Sequence, residues 1–452
     1  MTVIDPSIAS REGASAKPFP SPRTANWVLF VFSLSLVVNF LDRGIINLLV
    51  EPIKRDLGLS DLQVSFLMGF AFVLFYLLAG FPIARLVDSR SRRNILAIGL
   101  TCWSVMTAAC GLAQNFMMLF LARVGVGVGE ACTGPATYSM LSDLYPRERL
   151  PKAIAFLNFG SVVGMALALI LGGMVVSAFT HVPEFTIPGI GIVRHWQMVF
   201  FVVGIPGLLV ALLMLSFREP VRRGSRRQVV GKVIPVREVA GFIWENRTVY
   251  APQFFGLAIR VLYSFGAQTW AVTFYLRTYG WEPGRAGLFL GLIYLSTPIG
   301  MYVGGVLAER MHRAGRDDTN MRLTFLASAI MIPGTILAPL MPTPWLALLL
   351  TLVSQVIGAI AAGPENAAIQ TVTPNEMRGQ VTALYLFIFN VIGAGLGPTF
   401  IAVFTDLVFQ DESMLRYAMA LSAAIMLPLG SFIFWLGIKP YGRAVARARE
   451  WD

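Results

Sequence analysis

An acidic residue stands next to a basic residue inside an apolar stretch of this chain. Asp42 and Arg43 interrupt the apolar run from Trp27 to Val50, and a second apolar run carries Arg123 and Glu130, seven residues apart. Seven residues are nearly two helical turns, so Arg123 and Glu130 project from one helix face. Charges in such runs are costly and usually face a polar interior or a pathway. Because the four charges cancel, we expect them to share one largely dehydrated site.

The composition indicates an integral membrane protein. Of the 452 residues, 56% are hydrophobic and only 13% are charged, whereas soluble proteins have about 25% charged residues. The apolar residues come in runs of about 20 or more, which are typical of transmembrane helices and not of barrel strands. Twelve such runs predict an all-α membrane protein with twelve transmembrane helices.

The chain also has an internal repeat. Gly134-Pro135 recurs as Gly363-Pro364 about half the chain later. Six helices intervene, so the two halves have the same orientation, which predicts two parallel-repeat six-helix bundles related by an axis along the membrane normal. The predicted units are a cytoplasmic tail at 1–26, bundles at 27–217 and 248–437, a basic cytoplasmic linker at 218–247 and a second cytoplasmic tail at 438–452.

The net charge of +11 does not indicate nucleic-acid binding. Lys and Arg are concentrated in the connections on the side of the N-terminus, which predicts that both termini are cytoplasmic. Because the chain looks bacterial, we expect the bacterial inner membrane, and an organellar membrane is the alternative. The basic residues of the linker then set the topology, and binding of anionic lipid headgroups or nucleic acid is their alternative role.

Neither cofactor nor metal is expected. The cysteines Cys102, Cys110 and Cys132 fall within predicted helices, where we interpret them as small packing groups. The three histidines lack the spacing of metal ligands. We find no Ser/His/Asp set or phosphate-binding loop, so an enzyme is the weakest interpretation.

The segment from Ala84 to Arg93 resembles the loop between helices two and three of the major facilitator superfamily. The resemblance covers nearly the whole chain and implies a transporter. It also implies a cytoplasmic charge relay between the halves that uses Asp88, Arg92 and Arg93, with topology alone as the alternative role. The internal repeat adds Glu309 and Arg310 as gating candidates.

More narrowly, four short segments together resemble the spinster family, whose animal members are implicated in exporting sphingosine-1-phosphate or lysophospholipids. These segments are Asn39 to Arg43, Leu59 to Asp61, Trp103-Ser104 with Thr107, and Arg123 to Ala131. The resemblance implies that Asp42, Arg43, Arg123 and Glu130 are the functional residues, in agreement with the charge argument.

Depth along the helices suggests how these four residues pair. We expect Asp42 to pair with Arg123 between the first and fourth helices, while Arg43 reaches Glu130. A guanidinium fits phosphate or carboxylate, so we assign Arg43 and Arg123 to substrate binding. A buried carboxyl whose Arg partner moves can exchange a proton, so we assign Asp42 and Glu130 to proton coupling.

The second half contributes two further charged residues, Arg260 in the seventh helix and Glu365 in the tenth. Arg260 is either a third substrate-binding residue in a basic cavity wall or a structural partner of a nearby carboxylate. For Glu365 we favour a gating or inter-helix role over substrate contact.

The sequence therefore predicts a secondary transporter that works by proton-coupled alternating access and moves an amphiphilic anionic, lipid-like molecule. We expect a monomer, because two halves complete the pathway. A transporter of a small organic or sugar acid is one alternative, because a fold alone does not choose a substrate. A non-transporting membrane sensor is another.

Overall fold

The computed structural model describes residues 19–146, 148–179, 182–188, 191–223 and 234–449. In this part of the chain, eleven helical segments are long and apolar enough to cross a membrane, and the more polar Arg247–Tyr279 makes a twelfth. The prediction of an all-α membrane protein with twelve helices is confirmed. In chain order they are α1 Pro22–Leu48, α2 Asp61–Ser89, α3 Arg92–Cys110, α4 Phe116–Leu144, α5 Leu150–Phe179, α6 His195–Met214, α7 Arg247–Tyr279, α8 Pro283–Arg313, α9 Thr319–Leu340, α10 Pro344–Thr371, α11 Arg378–Phe409 and α12 Glu412–Ala448.

Several boundaries differ from the predicted ones. The first helix begins at Pro22, inside the predicted tail, because the Ser21 side chain caps it and proline suits the first helical position. The last helix runs through the second predicted tail to Ala448. The remaining parts of the tails and linker, at 1–18, 224–233 and 450–452, lie outside the described residues.

The connections contain small elements that the sequence did not predict. Short helices follow α1, at Val50–Leu57, and precede α7, at Val236–Glu245. An antiparallel hairpin of β1 Phe185–Ile187 and β2 Gly191–Val193 joins α5 to α6.

Helix packing follows the internal repeat. In the first half α1 packs on α5 and α3 packs on α6; in the second half α7 packs on α11 and α9 on α12. Two similar bundles therefore lie side by side. We call the end that holds Pro22 and Arg92 the basic face, and the end that holds Asp61 and Gly280 the opposite face.

The two halves touch near the opposite face. There α5 packs against α8 so closely that a Cβ placed on Gly287 would lie 2.3 Å from the carbonyl oxygen of Leu169. Only glycine allows this approach of the two backbones. The contact fixes the separation of the halves at this end.

Toward the basic face the halves expose polar side chains. The Tyr138 hydroxyl and the Asn158 amide form an exposed hydrogen bond between α4 and α5, and Gln370 and Thr382 form another between α10 and α11. Polar groups inside membrane segments face a water-filled cavity and not lipid. We infer that the space between the halves opens at the basic face.

Candidate functional site

Arg43 of α1 forms an ion pair with Glu130 of α4, as predicted. Its Nη2 lies 2.7 Å from Glu130 Oε2, and its Nε donates to the same oxygen at 2.8 Å. Glu130 is fully buried, whereas 32% of the Arg43 side chain is exposed. The Arg43 guanidinium also lies 4.3 Å from the Phe72 ring centroid and 5.3 Å from that of Tyr76. Two α2 rings therefore support an arginine that still reaches open space.

The predicted ion pair between Asp42 and Arg123 is wrong for this conformation. Arg123 Nη1 donates to the backbone carbonyl of Asp42 at 3.3 Å, and among the described residues no ion pair joins the two side chains. The carboxyl faces Trp103 and Thr107 of α3. The prediction that Asp42 and Arg123 lie at the same depth along their helices was correct, but the direction of the Asp42 side chain was not predicted.

A cavity lies between the two halves, at the level of these residues. Both Arg43 and Arg123 line it. Its other lining residues include Phe40, Asn47, Phe72, Tyr76, Met165, Phe265, Gln268 and Asn390. Among the described residues that form the wall, neither Asp42 nor Glu130 appears. The cavity therefore presents two guanidinium groups, with both carboxyls behind them.

The second half contains a matching ion pair. Arg260 of α7 binds Glu365 of α10, and by the repeat α7 corresponds to α1 and α10 to α4. Of the two predicted roles for Arg260, the structure therefore shows the pairing with a carboxylate. Arg260 is not among the described residues that line the cavity.

A third group of charges, which the sequence analysis missed, closes the opposite face. It consists of Glu51, Lys54, Asp61, Arg277 and Glu412, and we call it the opposite-face cluster. Arg277 donates to both Asp61 oxygens at 2.7 Å each and to Glu51 at 2.7 Å. Lys54 binds Asp61 and lies 2.7 Å from Glu412.

The opposite-face cluster joins the halves, since Arg277 and Glu412 belong to the second half and the other three members to the first. Nearby, the backbone N–H of Leu62 donates to Asp406 at 2.7 Å, also between halves. The sequence analysis named Asp61 only as part of a family resemblance and did not single out Lys54 or Arg277. The sequence feature that could have predicted this cluster is the presence of both acidic and basic residues near the ends of α1, α2, α7 and α12.

Among the described residues, the predicted gating residues near the basic face contact only their own halves. Arg93 donates to the Phe217 carbonyl at 3.0 Å, the Asp88 carbonyl accepts from Arg222, and Glu309 pairs with Arg313 one turn along its helix. Arg310 is exposed. No ion pair between the halves is seen among the described residues at this face, so the proposed relay is not formed in this conformation.

Arg92 is buried within the first half. It donates to Asp143 at 2.5 Å, to Glu219 at 3.0 Å and to the Pro220 carbonyl at 3.0 Å. It therefore ties α3 to α4 and to the segment after α6. These contacts stabilise the first six-helix bundle and do not connect it to the second.

Arg92→Ala should destabilise the protein strongly. It leaves the buried Asp143 carboxylate without its arginine, and removing one partner of a buried ion pair costs about 3–5 kcal/mol. Thermal unfolding in detergent should show a clear decrease in Tm. Arg90→Ala, at an exposed neighbouring position, is the control and should leave Tm unchanged. Equal Tm values for both variants would contradict this account.

The Glu219 contact should depend on pH. Partial burial favours the neutral form, but hydrogen bonds from Ser91 and Arg92 outweigh it and lower the pKa of Glu219. With the folded pKa below the unfolded one, the carboxylate stabilises the fold above the unfolded pKa, and this stabilisation is lost as pH falls through the folded pKa. Glu219→Gln should therefore lower Tm near neutral pH, with the difference vanishing in acid. The exposed Glu148→Gln is the control; a pH-independent difference for Glu219→Gln would refute the linkage.

Comparisons with known proteins agree with this architecture. Residues 32–398 match the family model of the Major Facilitator Superfamily. The chain is 27% identical to an MFS-type efflux pump of Mycolicibacterium smegmatis, over 98% of this chain and 97% of the relative. It is 24% identical to a probable L-galactonate transporter of Escherichia coli, over 72% and 71% of the two chains. It is 26% identical to protein spinster homolog 1 of Xenopus tropicalis, over 67% of this chain and 57% of the relative.

A solved structure has the same fold. It is that of a bacterial homolog to the human lysosomal transporter Spinster, in an inward-facing and unoccupied conformation, with a TM-score of 0.77 and 24% identity. The match covers 95% of this chain and 99% of the other. The predicted family is confirmed, and with it a role in moving small molecules and not in catalysis. The chain belongs to the Major Facilitator Superfamily and, within it, resembles the spinster-type transporters.

Proposed function

We propose that this protein moves an amphiphilic anion across the membrane. The observation that carries the proposal is the cavity, in which Arg43 and Arg123 stand beside aromatic side chains. Two guanidinium forks suit a phosphate or carboxylate group. Phe72, Tyr76 and Phe265 supply an apolar wall for a hydrocarbon tail. A lysophospholipid or a sphingosine phosphate has both parts.

Protons are the proposed coupling ion. An anion that binds Arg43 competes with Glu130 for the same guanidinium, and a buried carboxyl that loses its arginine favours its neutral form. Substrate binding therefore promotes proton uptake at Glu130. We assign Asp42 to the second proton position, because it is fully buried behind Arg123.

We place the basic face in the cytoplasm of a bacterium, with both described ends inside, from the distribution of Lys and Arg. The present conformation then opens inward, and the protein works as a monomer since its two halves enclose the cavity. In the outward-open state, the proposed inner gate comprises Asp88, Arg92, Arg93, Glu309 and Arg310. In the present conformation Glu365 is paired with Arg260. We propose that movement of the second half breaks this pair, so that Arg260 becomes a further substrate contact and Glu365 acts in gating.

A small sugar acid is the second candidate substrate. The amides of Asn47, Gln268 and Asn390 line the same cavity and could bind hydroxyl groups. The similarity to a probable L-galactonate transporter points the same way.

Matched ligands separate the two candidates. We would measure binding of lysophosphatidate, glycerol phosphate and galactonate to the purified protein in nanodiscs. The proposal predicts that lysophosphatidate binds at least about tenfold more tightly than glycerol phosphate, because the buried tail adds apolar contact. Arg43→Ala should abolish this binding, and Arg55→Ala, at an exposed position, should not. Tight galactonate binding without lipid competition would favour the sugar acid.

A further inference from the structure

The last helix carries basic side chains beyond the membrane. The α-helical part of α12 is 34 residues long and begins at Leu415 near the opposite face. Trp435 follows roughly 20 residues later, which is about 30 Å along the helix axis. Because the hydrocarbon core of a bilayer is about 30 Å thick, the next basic residues, Lys439, Arg443 and Arg447, lie beyond the core at the basic face.

The outer face of α12 changes from apolar to basic along its length. Phe432, Trp435 and Leu436 are about half exposed, and Lys439 and Arg443 are exposed too. Their spacing of three and four residues places all five on one side of the helix. Tryptophan is enriched where hydrocarbon meets headgroups. This side of α12 therefore has the same polarity as a phospholipid, with apolar contacts inside the core and positive charges at headgroup level.

A groove lies between this end of α12 and the connection from α8 to α9. Its volume is about 540 Å³, and its charged lining residues are Asp317, Asp318, Lys439 and Arg443. Both carboxylates are already paired within the protein, Asp317 with Arg449 at 2.5 Å and Asp318 with Arg322 at 2.5 Å. These pairs neutralise the acidic side, so Lys439 and Arg443 leave the groove with an excess of two positive charges.

The inner side of the same helix end is anchored to the second half. Tyr441 is 1% exposed, and its hydroxyl accepts a hydrogen bond from the Asn320 amide at 3.1 Å. Ala444 and Val445 pack in the same apolar cluster as Tyr441. The groove is therefore part of the folded bundle, and its basic side chains project from a fixed helix.

We propose that this groove binds the headgroup of an anionic phospholipid in the leaflet next to the basic face. Cβ atoms four residues apart on a helix are separated by about 5–6 Å, so Lys439 and Arg443 both reach one phosphate group. The guanidinium donates a fork of hydrogen bonds and the ammonium adds a point charge.

The apolar part of the same helix side selects a lipid over a soluble phosphate. Phe432 and Leu436 lie one and two turns before the basic pair, where the acyl chains of a bound phospholipid run along the helix. A soluble phosphate has no group that contacts them. The site is separate from the cavity between the halves, and the proposal does not depend on the proposed transport function.

Native mass spectrometry of the full chain in neutral detergent tests the proposal, by titration with phosphatidylglycerol and with phosphatidylcholine. Lys439→Gln/Arg443→Gln should bind phosphatidylglycerol about 30-fold more weakly than the wild type, or about fivefold for each charge removed. Arg85→Gln/Arg90→Gln is the matched control, because it removes two exposed charges from the same face of the first half. The control should bind phosphatidylglycerol like the wild type.

A repeat of the titration in Arg43→Ala separates the groove from the cavity, and the phosphatidylglycerol bound at the groove should remain there. Equal affinity of the wild type and Lys439→Gln/Arg443→Gln would overturn the proposal. Equal loss in both double variants would also overturn it, because it would show a general attraction to the basic face. Wild-type affinity for phosphatidylcholine equal to that for phosphatidylglycerol would exclude recognition of charge, and displacement by equimolar glycerol phosphate would assign the groove to a soluble anion instead.

Discussion

Glu130→Gln is expected to abolish accumulation of substrate driven by a pH gradient while leaving substrate exchange across the membrane. Glutamine keeps the size of the side chain but cannot carry a proton, and Arg43, its partner, is partly exposed and tolerates the change. Losing a group that transfers the proton typically costs at least about 100-fold. Uptake with and without the gradient, compared with exchange at equal pH, separates the two activities.

Glu365→Gln is the matched control for this prediction. Glu365 is also buried and paired with an arginine, and the pair joins α7 and α10, the helices of the second half that correspond to α1 and α4. Because we assign Glu365 to gating and not to proton transfer, this variant should slow accumulation and exchange alike while accumulation stays dependent on the pH gradient. Equal loss in both variants would mean that the two ion pairs serve the same role, and full coupling in Glu130→Gln would remove Glu130 from the mechanism.

Arg277→Ala is expected to open the opposite face. It removes the three charge-assisted hydrogen bonds to Asp61 and Glu51 and, of the described residues, leaves only Lys54 to neutralise the buried Asp61. Loss of one partner from such a pair costs about 3–5 kcal/mol, which corresponds to more than about 100-fold in a two-state ratio. The variant should therefore favour the state that is open at the opposite face.

Distances between spin labels measure this change. We would label Arg55→Cys and Glu282→Cys, two exposed positions on either side of the opposite face, after replacing the three native cysteines. The longer distance should dominate in Arg277→Ala. Arg285→Ala is the control, because Arg285 packs on Trp281 and Trp345 of its own half. An unchanged distance distribution in Arg277→Ala would show that the cluster does not hold the face closed.

The sequence predicted the features that regular helix geometry determines. The length of an apolar run sets the number of membrane helices, and the depth of a residue follows from its distance from the helix end. That was sufficient to bring Arg43 to Glu130. It was not sufficient for Asp42, because the side-chain direction decides whether its carboxyl meets Arg123 or Trp103.

The opposite-face cluster depends on information that a single sequence does not contain. Lys54, in the short helix after α1, and Arg277, in the last turn of α7, are far apart in the chain, and they meet only in a conformation in which the halves close at that end. The predicted basic-face residues have the converse problem, since a relay between Asp88 and the other half requires that this end be closed. Sequence patterns identify such residues as candidates, but they do not show in which conformation the residues of the two halves are in contact.

Uptake of a labelled lysophospholipid by proteoliposomes under an imposed pH gradient tests the central claim most directly. With the wild-type protein the lipid should accumulate against its own gradient, and Glu130→Gln and Arg43→Ala should each prevent this. Accumulation in the wild type that is unaffected by the pH gradient, or that persists in both variants, would contradict proton-coupled transport of an amphiphilic anion through this site.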